Sequence, residues 1–277
     1  MMNILYLIPK NLLSQVVGYL VHLRLPGPLR EWSVRIFGNF YKISFAEAEK
    51  PAGEYLSIGD FFVRKLKAHV RPLAASSVLH PADSRISQIG PIAMGRLIQA
   101  KGKTYSVETL LYDADGLKKY EDGLFATYYL CPTDYHRVHS PVSGVITAVT
   151  HLPGALWPVN EWSVGRIEEL FCVNERVVVE FETEFGPVAL VMVGATNVGK
   201  ISLSFEPKIL SNQPGKVTPQ KILYSPGLVV KKGDELGMFH MGSTVVMCYA
   251  NKLREKKSNQ DWQKFLGQPV KMGEAFL

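Results

Sequence analysis

Beyond Lys50-Pro51 the chain never runs far without a glycine or proline, and short β-like runs fill the intervals, at 61–66, 84–89, 125–130, 142–149, 177–181, 188–193 and 245–250. This rhythm predicts an α+β fold of mainly β content: a lipoyl- or carrier-like β sandwich or barrel with a few helices. It argues against alternating β-α units, which need long helical patterns between strands. Glu184-Phe185-Gly186-Pro187 predicts a tight turn between two strands, and residues 105–111 a short helix. Pro81-Ala82-Asp83 and Pro141-Val142-Ser143 each set a proline and a small polar turn before a strand. With 277 residues, one domain carrying an appendage is expected.

The appendage is the N-terminal segment, residues 1–50. Leu13, Val16, Val17, Leu20 and Leu23 recur at helical spacing, and Leu29, Trp32, Ile36, Phe37, Phe40 and Tyr41 form a second apolar set after the Pro26-Gly27-Pro28 turn. Lys10, Arg24, Arg30, Arg35 and Lys42 face one acid, Glu31. Neither segment offers the roughly 20 continuous apolar residues that spanning a bilayer requires, and the start lacks a basic signal-peptide region. Two readings stay open: amphipathic helices lying on an anionic membrane surface, or helices packed on the domain's own core. The net charge of +6 favours an anionic partner, but no nucleic-acid-binding motif accompanies it. Cys131, Cys172 and Cys248 are odd in number and far apart, so neither a disulfide framework nor a structural zinc site is expected.

Two stretches carry the chemistry. In Met241-Gly242-Ser243-Thr244 a serine follows a glycine, a residue that tolerates backbone geometries a Cβ would forbid, so the Ser243 hydroxyl has a route to the Gly242 carbonyl. In residues 131–141, Asp134, His136, Arg137 and His139 lie between Pro132 and Pro141. A metal reading of His136, His139 and Asp134 lacks a second cluster with ligand spacing, and no metal is expected. Asp83, His139 and Ser243, on separate turns, are candidates for base-orienter, base and nucleophile. Lys231-Lys232-Gly233-Asp234-Glu235-Leu236-Gly237 is a turn of the kind found in lipoyl and biotinyl carriers.

Taken end to end, the chain resembles the phosphatidylserine decarboxylases of the bacterial, membrane-associated type. The resemblance rests on Phe61-Phe62-Val63-Arg64, Arg71-Pro72, Pro81-Ala82-Asp83, Ala100-Lys101-Gly102, Asp134-Tyr135-His136-Arg137-Val138-His139, Asn174-Glu175-Arg176 and Glu184-Phe185-Gly186-Pro187. It continues through Val193-Gly194-Ala195-Thr196, Val198-Gly199, Lys232-Gly233-Asp234-Glu235, Phe239 and Gly242-Ser243-Thr244. It implies that Asp83 orients His139, His139 removes the Ser243 proton, and Oγ attacks the Gly242 carbonyl. β-Elimination of the resulting ester leaves a dehydroalanine that loses ammonia to become a pyruvoyl group, splitting residues 1–242 from residues 243–277. A Schiff base between that ketone and phosphatidylserine would then release carbon dioxide and phosphatidylethanolamine, with His136 assisting decarboxylation or reprotonation.

Residues 51–277 would thus be the catalytic domain and residues 1–50 its membrane-association segment, on the cytoplasmic face of the inner membrane. A homodimer would accord with the family. Three positions depart from the family pattern: Met241 for leucine, Ser84 for glycine and Asn197 for an aliphatic residue. A positive φ at Ser84 would strain its turn and displace Asp83. Arg137 is open between holding a substrate anion and a structural ion pair. Rival functions are a serine hydrolase, which Ser243 would serve without a Gly-x-Ser-x-Gly elbow, and a non-catalytic carrier module.

Overall fold

The computed structural model describes residues 10–100, 102–196, 200–213, 215, 217–256 and 262–277. Thirteen strands occur among them: β1 (Ser84–Pro91), β2 (Arg96–Ala100), β3 (Lys103–Ser106), β4 (Leu124–Leu130), β5 (Arg137–His139), β6 (Gly144–Leu152) and β7 (Arg176–Thr183), then β8 (Gly186–Val193), β9 (Ile201–Leu203), β10 (Gln220–Val230), β11 (Glu235–Phe239), β12 (Ser243–Tyr249) and β13 (Pro269–Val270). Eight form one antiparallel sheet in the order β10-β6-β7-β8-β12-β4-β1-β13. Its end strands, β10 and β13, do not pair with each other, so the sheet stays open and closes no barrel. A three-stranded sheet, β5-β11-β9, and the β2-β3 hairpin complete the β structure, and one hydrophobic core runs beneath all three sheets.

β12 occupies the interior of the large sheet, between β8 and β4. All seven of its residues are buried, on both faces, which is why its sequence reads as a continuous apolar and β-branched run without alternation. β10 escaped sequence reading because it is an edge strand with Pro226 and Gly227 inside it and a register shift between Leu223 and Leu228. A proline costs little where one side of the strand has no partner.

Two expected elements differ. Residues 61–66 are not a strand: a short helix, Ile58–Phe62, starts where the Ser57 hydroxyl accepts the Asp60 N–H at 3.1 Å, and only an isolated bridge, Ala48 to Leu66, follows. The cap decides the element, because adjacent Phe61 and Phe62 suit either period. Within 105–111 the helix begins at Val107, capped by Ser106, and the residues before it form β3.

Among its described residues the N-terminal segment forms two helices, Lys10–Val21 and Gly27–Phe40. The first turns its apolar stripe outward: Leu13, Val16 and Leu20 are exposed, while Ser14 is fully buried with its hydroxyl on Lys10 O. The second buries Val34 and Gly38 and exposes Trp32, Ile36 and Phe40. A small separate core of Val34, Ile43, Ala48, Ala52, Tyr55 and Phe61 runs across position 50, so the packing unit extends past the expected end of the appendage. Among the described residues no helix is long and apolar enough to cross a membrane.

Candidate active site

Ser243 opens β12, paired with Leu130 at the end of β4. The turn after β4 leads through Asp134, whose carboxylate accepts the Cys131 N–H at 2.7 Å, to His136. The Phe239 N–H, at the end of β11, donates to His136 O at 3.0 Å. The two chemistry-bearing stretches are therefore stitched together by backbone pairing on both sides of Gly242. Ser243 is 1% exposed, and its Oγ is buried with no hydrogen-bond partner among the described residues. A buried hydroxyl left unpaired is costly, and its neighbour Gly242 makes Ser243 the candidate nucleophile among several such groups.

Ser243, Gly242 and Met241 line a cavity of about 190 Å³ with Tyr41, Phe62 and Pro132 among its walls. A larger cavity of about 660 Å³ shares Tyr129, Val159 and Asn160 with it. Together they leave room beside Ser243 for a small polar group and an apolar body. The backbone here departs from expectation by one residue. Gly242 lies outside the positive-φ region, and a Cβ there would meet nothing within 4 Å. Met241 instead holds φ 142, a conformation that L side chains rarely adopt. Strain is carried immediately before the glycine.

His136 is fully buried with its ring 4.1 Å from that of Phe62, itself a wall of the Ser243 cavity. Its Nδ1 lies 2.9 Å from Asp134 O, and because a carbonyl only accepts, Nδ1 carries the proton. Nε2 is left as a buried lone pair without a partner. Burial pushes the imidazole down to about 3, against the bond to Asp134 O, and the Arg64 charge depresses it further. Arg64 is 4% exposed, reaches Asp134 O with Nη2 at 3.4 Å, and has Nε and Nη1 without partners. The guanidinium and the imidazole thus converge on one carbonyl.

His139 is held elsewhere. Its N–H donates to Pro81 O at 2.8 Å, joining β5 to the Pro81-Ala82-Asp83 turn. Its Nδ1 lies 2.8 Å from Gly233 O, which fixes the proton there, and the Tyr135 hydroxyl lies 3.1 Å from Nε2. Burial lowers its pKa, so the ring is a neutral base with its lone pair on Nε2. Gly233 reaches this contact at φ 89, in the turn that sequence reading compared to a carrier hairpin.

Asp83 is 1% exposed and does not hydrogen-bond to His139. Its Oδ1 accepts from Arg71 Nε and from Met272 N, both at 2.9 Å, and its Oδ2 from Arg71 Nη2 at 2.5 Å and Lys271 Nζ at 3.2 Å. Burial pushes the carboxyl up, but the bond and charge of Arg71, then Lys271, outweigh it and hold Asp83 below the usual range. The expected orienter is therefore an ionised group engaged with cations, because its acceptor sites are already filled. Sequence reading gave Arg71 and Tyr135 no chemical role, although both stand in stretches that carry the resemblance, and Lys271 left no signal at all. Ser84 has no positive φ and begins β1, its hydroxyl on Ala82 O at 3.2 Å, so the anticipated strain is absent there.

Arg137 resolves as a structural pair: its Nη1 meets Glu235 at 2.8 Å while Nε donates to Val63 O. Asn197 lies outside the described residues, as do Lys101, Val198 and Gly199. All three cysteines are free.

Known proteins bear on this geometry. The family profile for phosphatidylserine decarboxylase matches residues 58–277. The chain is 41% identical over 254 residues to the phosphatidylserine decarboxylase proenzyme of Myxococcus xanthus, covering 91% of this chain and 89% of that one. It is 42% identical to the proenzyme of the same name from Shewanella pealeana, covering 98% and 95%, and 44% identical to that of Shewanella sp. strain MR-4, covering 88% and 86%. With the buried, unpartnered serine at the head of its central strand, and with likeness of this extent from end to end, the chain belongs to the phosphatidylserine decarboxylase family.

Proposed function

We propose that this chain is made as a proenzyme, cuts itself between Gly242 and Ser243, and then decarboxylates phosphatidylserine to phosphatidylethanolamine. The observation that carries the reading is the Ser243 hydroxyl, buried, unpartnered and opening on a cavity beside a strained Met241-Gly242 backbone. Oγ loses its proton and attacks the Gly242 carbonyl; the Gly242 C–N bond then breaks, the residue 243 nitrogen takes a proton as a free amine, and an ester joins the two chain halves. The Cα proton of residue 243 is then removed and the ester leaves as the Gly242 carboxylate. Hydrolysis of the remaining enamine with loss of ammonia converts residue 243 to a pyruvoyl group.

The base we assign is His139, as the family resemblance implies; no contact joins it to Ser243 among the described residues, so its Nε2 has to leave the Tyr135 hydroxyl and approach Oγ. Asp83, kept ionised by Arg71 and Lys271, favours the imidazolium through space and does so without a hydrogen bond. The site suits the group it would make, since the cavity around residue 243 is mainly walled by apolar and aromatic side chains. A ketone at that position supplies an electron sink for the carbanion left when carbon dioxide departs. His136, neutral and with Nε2 free, holds or returns the proton at the substrate carbon. Apolar walls disfavour a charged carboxylate and promote its loss as neutral carbon dioxide.

The outward stripes of the two N-terminal helices support work at a membrane surface. Tyr19 is 71% exposed, Trp32 63% and Phe40 76%, and apolar rings at such levels favour a lipid interface. Intact-mass spectrometry of purified protein tests the central reading: two chains are expected, the smaller beginning at residue 243 with a pyruvoyl terminus. One uncut chain with a free Ser243 hydroxyl refutes it. Ser243→Ala is expected to abolish both cleavage and carbon dioxide release.

A further inference from the structure

A third pocket, of about 400 Å³, is lined by His240 of the segment leading to Gly242, and none of the chemistry above uses it. Its walls are Gln15 and Gly18 of the first helix and His22 just past its end, with Lys200, Asn212 and His240. Three basic side chains meet there and no acid lines it. The rings of His22 and His240 stand 5.8 Å apart. Lys200 makes no ion pair with any described residue, although the His240 N–H donates to its carbonyl at 2.8 Å. Burial keeps the His240 ring neutral, lowering it to about 3, so the Lys200 ammonium is the cation of this group and an anion beside it is attracted.

The hydrogen-bonding pattern supplies a donor for that anion. His22 Nδ1 lies 2.7 Å from Gly18 O and so carries a proton that is already engaged there. His240 Nε2 lies 2.9 Å from Ser202 Oγ, and its Nδ1 is buried with no partner. A hydroxyl serves as donor or acceptor, so Ser202 leaves His240 free to present Nδ1–H to a ligand. The helix that forms one wall exposes Leu12, Leu13, Val16, Tyr19 and Leu20. That apolar surface beside a cationic pocket matches a ligand that carries both an anion and hydrocarbon.

We infer that this pocket binds the phosphate-ester group of a phospholipid, with Lys200 as the cation and His240 Nδ1–H as a donor. The inference rests on the decarboxylase reading, since His240 lies three positions before Ser243 and the substrate's phosphate lies close to its reacting carbon. Two lipids carry this chemistry, the substrate itself and a second, unreactive anionic lipid.

The test uses the processed full-length enzyme and its Lys200→Gln and Lys200→Arg variants. With soluble dihexanoyl phosphatidylserine, Lys200→Gln is expected to raise KM about tenfold with kcat little changed, and Lys200→Arg to restore it. Inorganic phosphate is expected to compete in the wild type and not in Lys200→Gln. A KM effect with soluble lipid assigns the pocket to the substrate's own phosphate. An effect appearing only when phosphatidylglycerol is added to phosphatidylcholine vesicles assigns it to a second lipid. Unchanged KM on both substrates, or a fall in kcat alone, overturns the inference. Phosphorus NMR line broadening of inorganic phosphate by the protein, lost in Lys200→Gln, reads the pocket without turnover. If the wild type broadens phosphate but releases no carbon dioxide, the decarboxylase reading fails and the pocket stands.

Discussion

Met241→Gly isolates the backbone strain before the cleavage bond. A non-glycine residue at φ 142 stores roughly 1–3 kcal/mol, because its Cβ crowds the neighbouring peptide. Glycine adopts the same φ freely but loses about 0.5–1 kcal/mol of extra backbone entropy on folding. The uncut chain is therefore expected to gain up to about 2 kcal/mol, and cleavage, which releases the strain, is expected to slow. At about 1.4 kcal/mol per tenfold, the strain corresponds to roughly 5- to 150-fold in rate. Stability is measured by urea unfolding of Ser243→Ala with and without Met241→Gly, so that cleavage does not intervene. Rate is measured by gel densitometry after pulsed cell-free synthesis. Gly242→Ala is the control, expected to leave the uncut fold intact because a Cβ there meets open space. A Met241→Gly chain that is more stable yet cleaves as fast as the wild type refutes strain as a contributor.

Three further outcomes are expected. After cleavage the small chain stays bound, because β12 is hydrogen-bonded along its length to both β4 and β8; the two chains co-elute in gel filtration until urea unfolds the whole sheet, and separation in native buffer contradicts the topology. Arg71→Met leaves Asp83 buried with Lys271 as its remaining cation, costing about 3 kcal/mol in urea unfolding and shifting the acid limb of the cleavage–pH profile upward as the Asp83 carboxyl loses its main counter-charge. Acid weakens the fold through His80 and His136, which burial lowers from 6.5 to about 4 and about 3. The unfolded chain binds their protons first, so stability is complete above pH 6.5 and falls by roughly 1.4 kcal/mol per unit per histidine as pH drops towards those values; melting temperatures at pH 7 and 5 read it, and His80→Phe is expected to lessen the fall.

Much of the β framework was legible because burial on a pleated sheet leaves a local record. The runs at 84–89, 125–130, 177–181, 188–193 and 245–250 became β1, β4, β7, β8 and β12. Short strands such as β5 and β9, three residues each, leave too little pattern to read. Periodicity also could not say which way the N-terminal stripe faces, since an apolar face signals burial against protein and lipid alike. The exposed Leu13, Val16 and Leu20 show that this part of the stripe does not pack on the chain's own core.

The candidate site divides along the same line. The sequence by itself determined which residue types are available for chemistry: a serine after glycine, two histidines three positions apart, and an aspartate before a strand. Only the tertiary structure decided what each one touches. Asp83 is engaged by Arg71 at 12 positions' separation and by Lys271 and Met272 at 188 and 189, which no local pattern records. The unusual φ fell on Met241 and not on Gly242 because strands β11 and β12, paired into different sheets, set the path of the residues joining them. Residue identity fixes what a side chain can donate, accept or attack, whereas long-range packing fixes which of those capacities is already spent.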